Sequence, residues 1–359
     1  MDISKIDPRL ASFSIEDAKI EWISAHDKRF SLHGVFYDED NKLYMRVPDE
    51  VTKATGNKGL TTLTRHTSGG RLRFVTNSKF IAIKAAIPAK KVMVHMSITG
   101  SHGFSVYADG TYRNRYSPVF DDYLNYKGRW GEGSIIFAEK KDIAETAENR
   151  VIDIYFPLYG GVCELYVGIE PSATLEKAPD YTIKKPFVFY GSSITQGACV
   201  SRPGNDYVSM SARRFDADYV NLGFSGNGNA EDAMVDYVNS FDASVFAFDY
   251  NMYSDRKDRI LPPHFSIYER IREKHPDAVI LLHDKPGCDY EPDKEREEII
   301  RNTYEKALSM GDKKVCYISP WDFFGEGDRD CCMTDISHPN DLGAMRMANA
   351  VYNVLSKMI

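Results

Sequence analysis

The sequence predicts an all-β, jelly-roll-like sandwich followed by a three-layer α/β/α domain with a parallel sheet. Three observations lead to this fold class. The chain has 359 residues, and at about 150 residues per domain this length favours two domains. Short strand-like stretches separated by turn residues continue to Pro171, whereas strands and helices alternate after Pro179. We place the boundary near Tyr181–Pro186 and expect domains over residues 1–182 and 183–359.

The strands of the first domain are predicted from short stretches rich in β-branched and aromatic residues. Glycine-containing turns such as Ser68-Gly69-Gly70 and Gly160-Gly161 separate these stretches. Many short strands at this density are typical of a sandwich or jelly roll. The predicted strands include Arg71–Thr76, Phe80–Ala86, Val92–Ile98, Ser134–Ala138, Val151–Phe156 and Cys163–Ile169.

In the second domain short apolar runs alternate with amphipathic segments. This alternation predicts parallel strands with helices on both faces of the sheet. The predicted strands are Phe187–Tyr190, Tyr219–Leu222, Ser244–Tyr250, Ala278–Leu282 and Val315–Ser319. The predicted helices are Asp206–Phe215, Ala230–Val238, Phe265–Lys274, Glu295–Met310 and Leu342–Met358.

Composition and charge exclude several function classes. Hydrophobic residues make up 43% of the chain, which is enough for packed cores. The net charge of -7 argues against nucleic acid or an anionic membrane as a partner. No apolar run approaches about 18 residues, so we expect no membrane-spanning helix.

The amino-terminal residues MDISKIDPRL lack the pattern of a secretory signal. The six cysteines include no CxxC pair. We therefore expect a cytoplasmic protein with reduced thiols. The sequence leaves the oligomeric state open, a homo-oligomer included.

Polar residues follow the predicted strands of the second domain. In an open α/β sheet ligands bind at the carboxyl ends of the strands. Gly191–Gly197 follows the first strand, Gly223–Gly228 the second and Asp249–Asn251 the third, while Asp335–Asn340 lies in the last loop. We expect these four loops to meet at one edge of the sheet.

These loops contain what an ester hydrolase requires. Ser193 is the candidate nucleophile, and His338 is the base that takes the proton of its hydroxyl. Asp335, three residues before His338, orients the imidazole and stabilises the imidazolium. The backbone N–H groups of Ser193 and Gly226 and the side-chain amide of Asn251 are candidate oxyanion-hole donors. Asn340 or Asp341 is expected to cap the final helix.

The four loops carry the sequences GSSITQG, NLGFSGNG, DYN and DISHP. In this order they resemble the blocks of the SGNH (GDSL-type) hydrolase superfamily, over roughly Pro186–Met358. The resemblance implies the same roles for Ser193, Gly226, Asn251, Asp335 and His338. The arrangement is similar to a bacterial subgroup with an amino-terminal β-sandwich, which includes carbohydrate esterases. It implies a cofactor- and metal-independent serine esterase that removes O-acetyl groups from xylan- or mannan-derived oligosaccharides.

The sequence departs from the family pattern at two positions. Ser192 stands where the family usually has an acid before the nucleophile, which leaves two adjacent candidate hydroxyls. Asp249 stands where the family usually has a glycine, two residues before Asn251. Its carboxylate is expected either near the oxyanion region or at a helix terminus.

Residues outside the blocks are candidates for substrate binding. Arg202 and Asn205 lie in the loop after the nucleophile, where they would contact substrate hydroxyls or make structural contacts. Trp321 follows the strand Val315–Ser319, where its ring would stack on a sugar or pack against the protein. The expected partner is a small-molecule or oligosaccharide ester.

Other functions remain open at this stage. The same machinery with a longer acyl chain would make a lysophospholipase or a thioesterase. The chain would instead be a carbohydrate-binding protein if the hydrolase half were a degenerate scaffold. A dinucleotide site is disfavoured, because the glycine spacing after Leu222 is GxxGxG rather than GxGxxG. Neither His283-Asp284 with Cys288 nor Cys331-Cys332 with His338 has metal-site spacing.

Overall fold

The computed structural model describes residues 19–88, 93–119, 134–249, 264–287 and 294–359. The chain forms two compact units. The first contains the described chain up to Met45 together with Arg65–Asp180, and the second contains Arg46–Thr64 and Tyr181–Ile359. The segment Arg46–Thr64, with helices α1 (Asp49–Ala54) and α2 (Leu60–Leu63), thus lies in the second unit. The sequence-based boundary places this segment in the first domain, over residues 1–182, so the structure differs here.

In its described ranges the first unit contains antiparallel strands and a short helix, α3 (Ile98–His102). Its strands are β1 (Glu21–Ser24), β2 (Ser31–His33), β3 (Phe36–Asp38), β4 (Leu43–Met45), β5 (Arg71–Thr76), β6 (Phe80–Ile87), β7 (Phe104–Ala108), β8 (Thr111–Tyr116), β9 (Ile135–Asp142), β10 (Arg150–Tyr155), β11 (Glu164–Ile169) and β12 (Leu175–Glu176). One sheet has the order β1-β11-β6-β9, and another has the order β12-β5-β10-β7-β8, with β2 also paired to β5. Strands β3 and β4 form a separate pair.

A single hydrophobic core contains side chains from both larger sheets of the first unit. Alternate residues of β6, such as Ile81 and Ile83, lie in this core with Leu72 and Phe74 of β5. Alternation of this kind places every second side chain on the buried face of a strand. The predicted β-sandwich domain is confirmed as a β-rich unit, whose sheets are antiparallel.

The predicted strand Val92–Ile98 is wrong over its described part, which begins at Met93. These residues form turns, and Ile98 begins α3. The Ser97 hydroxyl accepts a hydrogen bond from the N–H of Gly100 at 2.9 Å and so caps the helix. Serine at this position stabilises a helix start more than the preceding apolar residues favour a strand.

The second unit contains a five-stranded parallel sheet with the order β14-β13-β15-β16-β17. These strands are β13 (Ile183–Gly191), β14 (Ala217–Gly223), β15 (Val245–Phe248), β16 (Val279–His283) and β17 (Val315–Ile318). The helices are α4 (Ser193–Gln196), α5 (Tyr207–Arg214), α6 (Asp232–Asn239), α7 (His264–Lys274), α8 (Lys294–Ser309) and α9 (Asp341–Leu355). Short 3-10 turns span Pro320–Asp322 and Asp330–Cys332.

Helices cover both faces of this sheet. On one face, Val188 and Tyr190 share a core with residues of α6, α7 and α8 and with Val47, Leu60 and Leu63 of the inserted segment. On the other face, Phe189 contacts Tyr207 of α5 with ring centroids 5.8 Å apart. The predicted three-layer α/β/α arrangement is confirmed. None of the helices in the described ranges is both long and apolar enough to cross a lipid bilayer.

The order of the strands reverses direction at β13, whose two neighbours are β14 and β15. Such a switch point leaves a crevice beyond the carboxyl end of the strand, where α/β proteins bind their ligands. The residues that follow β13 therefore lie at the position where α/β proteins place their reactive groups.

Candidate active site

Ser193 lies directly beyond β13, as the first residue of α4. The hydroxyl of Ser192 caps this short helix by accepting a hydrogen bond from the N–H of Ile194 at 3.1 Å. The helix ends after one turn at Gly197, whose φ of 95° lies in the left-handed region. Ser193 is 3% exposed. Its hydroxyl is thus held at the switch point by a capped turn.

The structure brings Ser193, His338 and Asp335 together. The Oγ atom of Ser193 lies 2.9 Å from Nε2 of His338. The Nδ1 atom of the same ring lies 2.9 Å from Oδ2 of Asp335. One continuous chain of hydrogen bonds therefore links a serine hydroxyl, an imidazole and a carboxylate.

The Asp335 carboxylate is held in its charged form. Partial burial opposes ionisation, but the hydrogen bonds from the His338 ring and from the backbone N–H groups of Ser337 and His338 outweigh it. The pKa of Asp335 therefore lies below its ordinary value. An ionised carboxylate accepts the Nδ1 proton of the ring and leaves Nε2 facing Ser193 as an acceptor.

The turn that carries His338 is fixed by its neighbours. The backbone N–H of Thr334 donates to the carbonyl of His338 at 2.8 Å. The side chain of Asn340 accepts from the N–H groups of Leu342 and Gly343 at 3.0 and 3.2 Å, so it caps α9. Its amide also donates to the carbonyl of Cys331 at 2.7 Å. Of the two caps considered, Asn340 is the one observed.

Replacing Asn340 by alanine is expected to lower the free energy of unfolding by about 1–2 kcal/mol, because two helix N–H groups lose their acceptor. The value of kcat should also fall, since His338 lies two residues before the cap. Urea denaturation and ester hydrolysis measure the two effects. The exposed Asn302 in α8 is the matched control, and Asn302→Ala should change stability by less than about 0.5 kcal/mol. Equal stability of the two variants would contradict the capping role.

The loop after β14 lies against the turn at Gly191–Ser193. The backbone N–H of Phe224 donates to the carbonyl of Gly191 at 2.8 Å. A Cβ atom at Gly228 would lie 2.2 Å from that same carbonyl oxygen, so only glycine permits this approach. Gly226 has a φ of 69°, a conformation that favours glycine. The candidate oxyanion residue Gly226 is thus on a loop that directly contacts the turn before Ser193.

Sequence analysis missed Arg46, which supports this loop from the inserted segment. Its guanidinium donates to the carbonyls of Asn221 and Gly223 at 3.0 and 2.7 Å and to that of Leu63 at 2.7 Å. Its Cζ atom lies 4.6 Å from the ring centroid of Phe224. Arg46 is only 1% exposed. A buried cation that satisfies three carbonyls holds the end of β14 in place.

The loop after β15 is described only as far as Asp249. Asn251, the third candidate oxyanion donor, lies outside the described residues. The Asp249 carboxylate accepts from the N–H and the hydroxyl of Ser192 at 2.6 and 2.7 Å. Of the two neighbouring serine hydroxyls, that of Ser192 thus faces a carboxylate and that of Ser193 faces the imidazole.

The three candidate substrate-binding residues occupy different surroundings. The Asn205 amide donates to the Asp341 carboxylate at 3.1 Å, a contact with the start of α9. Arg202 is half-buried in the same loop. Trp321 is also half-buried, and the guanidinium carbon of Arg329 lies 5.1 Å from its ring centroid. Asn205 therefore has the structural contact that the sequence left as its alternative role.

Cys199 lies close to Asp335 but is a poor nucleophile. Burial, together with the nearby Asp335 carboxylate, raises the pKa of its thiol to about 12. A thiol with this pKa is protonated near neutral pH, and it is the thiolate that reacts. Within the described ranges Cys163, Cys199, Cys316, Cys331 and Cys332 form no disulfides, and Cys288 lies outside those ranges.

Iodoacetamide at pH 8 is therefore expected to alkylate the exposed Cys331 while leaving Cys199 unmodified, with esterase activity retained. Mass spectrometry of the tryptic peptides identifies the labelled residue. Loss of activity in step with labelling of Cys199 would contradict this expectation and would place a reactive thiol at the site.

Comparison with known protein families gives a match in each of the two units. Residues 184–356 match the GDSL-like Lipase/Acylhydrolase family. Residues 20–175 match a family described as the N-terminus of Esterase_SGNH_hydro-type. Together the two matches cover almost all of both units. A search of curated protein sequences gave no significant match.

Solved structures share the fold over nearly the whole chain. A GDSL-like lipase from Bacteroides ovatus has 25% identity and a TM-score of 0.78, covering 95% of this chain and 98% of its own. The salicylyl-acyltransferase SsfX3 from a tetracycline biosynthetic pathway has 20% identity and a TM-score of 0.73, covering 94% and 97%. A family two carbohydrate esterase from Cellvibrio japonicus has 13% identity and a TM-score of 0.58, covering 95% and 98%. The last two show the fold alone.

Two adjacent family matches thus account for a β-rich amino-terminal unit and an α/β/α unit in the same chain. Residues 184–356 thus belong to the GDSL-like lipases/acylhydrolases and residues 20–175 to the amino-terminal family of SGNH-type esterases, and the protein is a carboxylic ester hydrolase.

Proposed function

We propose that the protein is a serine esterase that removes O-acetyl groups from oligosaccharides, such as those derived from xylan or mannan. The observation that carries the proposal is the continuous chain of hydrogen bonds from Ser193 through His338 to Asp335. This arrangement supports activation of a serine hydroxyl by a neighbouring base.

Acylation begins when Oγ of Ser193 attacks the carbonyl carbon of the ester. Nε2 of His338 takes the hydroxyl proton as the new C–O bond forms. The Asp335 carboxylate, bonded to Nδ1, stabilises the resulting imidazolium. Because Asp335 holds the ring from the opposite side, the transferred proton stays on the nitrogen that faces the substrate.

The tetrahedral intermediate carries its charge on the former carbonyl oxygen. The backbone N–H groups of Ser193 and Gly226 are the proposed donors to this oxyanion, with the Asn251 amide as a third. Collapse of the intermediate breaks the bond to the sugar oxygen, which takes the proton from His338. Water then repeats the sequence, with His338 again as base, and releases acetate and free Ser193.

The oligosaccharide substrate is supported by the two-unit organisation. The family two carbohydrate esterase from Cellvibrio japonicus matches this chain over both units. Arg202, beyond the nucleophile helix, and Trp321, beyond β17, are the proposed sugar-binding residues. An aromatic ring such as Trp321 offers an apolar face to the C–H surface of a pyranose.

The direct test is acetate release from acetylated xylo- and manno-oligosaccharides. The wild-type protein should release acetate, and Ser193→Ala should release none above background. Ser309→Ala is the matched control, since Ser309 is an exposed serine at the end of α8, and it should retain full activity. Hydrolysis of simple esters without acetate release from either oligosaccharide would contradict the substrate assignment.

A series of p-nitrophenyl esters separates an acetylesterase from a lysophospholipase or thioesterase. We expect kcat/KM for acetyl to exceed that for octanoyl by at least about tenfold, because a pocket for a small acyl group excludes additional methylenes. A preference for octanoyl would contradict the acetyl assignment while leaving the esterase mechanism intact.

A further inference from the structure

Asp249 lies beside the nucleophile turn although it is 56 residues away from Ser193 along the chain. It follows β15, which pairs in parallel with β13, and Tyr190 of β13 is opposite Phe248 of β15. The backbone N–H of Asp249 donates to the carbonyl of Tyr190 at 3.1 Å. The register of the sheet thus places the Asp249 side chain next to Gly191 and Ser192.

Both oxygens of the Asp249 carboxylate accept hydrogen bonds from Ser192, the residue before Ser193. Oδ1 accepts from the N–H of Ser192 at 2.6 Å, and Oδ2 accepts from its hydroxyl at 2.7 Å. Because the Ser192 hydroxyl donates its proton to the carboxylate, its lone pairs are free to accept from the N–H of Ile194. The carboxylate therefore orients the hydroxyl that caps the nucleophile helix.

The absence of a side chain at Gly191 leaves room for this carboxylate. A Cβ atom at Gly191 would lie 1.1 Å from Oδ1 of Asp249, so any other residue at this position would displace it. Asp249 is 2% exposed. Burial raises the pKa of its carboxyl, while His283 and the hydrogen bonds from Ser192 and Thr195 act in the opposite direction. A buried carboxylate is costly unless it is hydrogen-bonded, and here both oxygens are.

We propose that Asp249 is a positioning residue for ester hydrolysis, acting through Ser192, and that it supplies from the neighbouring strand the carboxylate that the family pattern places directly before the nucleophile. The two departures from that pattern are then one exchange: the carboxylate moved from position 192 to position 249. The contact sets where the backbone N–H and the hydroxyl of Ser193 lie. The hydroxyl must remain within proton-transfer distance of His338, and a displacement of about 1 Å costs up to about 100-fold in rate.

This inference rests on Ser193 as the nucleophile, and its test uses p-nitrophenyl acetate so that the natural substrate is not needed. Asp249→Asn preserves the shape of the side chain but loses one of the two acceptor oxygens. We expect kcat to fall about 10- to 100-fold with KM changed by less than about threefold. Ser192→Ala, which keeps the carboxylate and removes the hydroxyl, should lower kcat in the same way.

The decisive measurement is an exchange. Asp249→Gly should lose about 100-fold or more in kcat, and adding Ser192→Asp should recover at least about tenfold of that loss. Aspartate at position 192 would place its carboxylate in the space vacated by Asp249, and it caps a helix as well as serine does. If Asp249 only stabilised the fold, a carboxylate at position 192 would not restore kcat.

The matched control is Asp284→Asn, which changes another buried carboxylate, located after β16 and paired with Arg296 at 3.0 Å. This variant should lower the melting temperature and leave the kcat of the folded enzyme unchanged. Wild-type kcat in Asp249→Asn, or no recovery in the folded double variant, would overturn the proposal. Activity in Ser193→Ala would overturn the proposed mechanism and this inference together, whereas inactive Ser193→Ala with unaffected Asp249→Asn would overturn the inference alone.

Discussion

Alanine at Ser193 or at His338 is expected to lower kcat/KM for p-nitrophenyl acetate by about 10⁴-fold or more. The first change removes the proposed nucleophile, and the second removes the proposed base, whose Nε2 atom lies 2.9 Å from the Ser193 hydroxyl. The double variant should be no slower than either single variant. Residues that act as one unit in a reaction lose their effect together, so their contributions are not additive.

Steady-state kinetics on the folded proteins measure these losses. Asp335→Asn tests the third residue of the hydrogen-bonded chain, because asparagine keeps the shape of the side chain while removing the charge that holds Nδ1 of His338. It should lose about 10⁴-fold as well. Near wild-type activity in Ser193→Ala would show that another residue is the nucleophile, and Ser192 would be the first candidate. If the losses of the single variants multiplied in the double variant, the two residues would not act in one mechanism.

Replacing Arg46 by methionine is expected to lower the free energy of unfolding of the second unit by about 3 kcal/mol or more. Three carbonyls, those of Leu63, Asn221 and Gly223, would lose the donor that satisfies them inside the protein. A buried polar group without a partner costs about 1–3 kcal/mol. Methionine fills much of the same volume, so the loss reports the hydrogen bonds rather than a cavity.

Urea denaturation gives this free energy, and ester hydrolysis at low urea should also show a lower kcat, since Arg46 holds the strand end that leads to Gly226. Arg270→Met is the control. Arg270 makes partly exposed ion pairs with Asp232 and Asp236, and such pairs contribute at most about 1 kcal/mol. An Arg46→Met protein as stable as Arg270→Met would show that the three hydrogen bonds contribute little.

The edge of the sheet that carries Ser193 could be predicted because the loops Gly191–Gly197, Gly223–Gly228 and Asp249–Asn251 each follow an identifiable apolar strand. Parallel strands carry their carboxyl ends to one side of the sheet, so Ser193 and His338 were expected to meet although 145 residues separate them. The same reasoning gave the three-layer arrangement of the second unit. Local sequence was sufficient wherever a motif and its strand are adjacent in the chain.

Other features of the fold and of the site depend on long-range contacts, which the neighbouring sequence does not indicate. Arg46 lies between the apolar residues Met45 and Val47, and nothing near it in sequence indicates that its guanidinium contacts a strand end 175 residues later. The strand predicted at Val92–Ile98 failed because one serine cap competed with an apolar run. For Asp249 the sequence identified the unusual residue, but only the register between β13 and β15 places its carboxylate on Ser192.

The segment Arg46–Thr64 also bears on how such a protein can be divided. The polypeptide leaves the first unit after Met45, returns to it at Arg65 and leaves it again after Asp180. A chain truncated to begin at Tyr181 would lack Arg46 together with Val47, Leu60 and Leu63 of the hydrolase core. A single cut in the polypeptide therefore cannot release a complete hydrolase unit, because the second unit is made of two separate stretches of the chain.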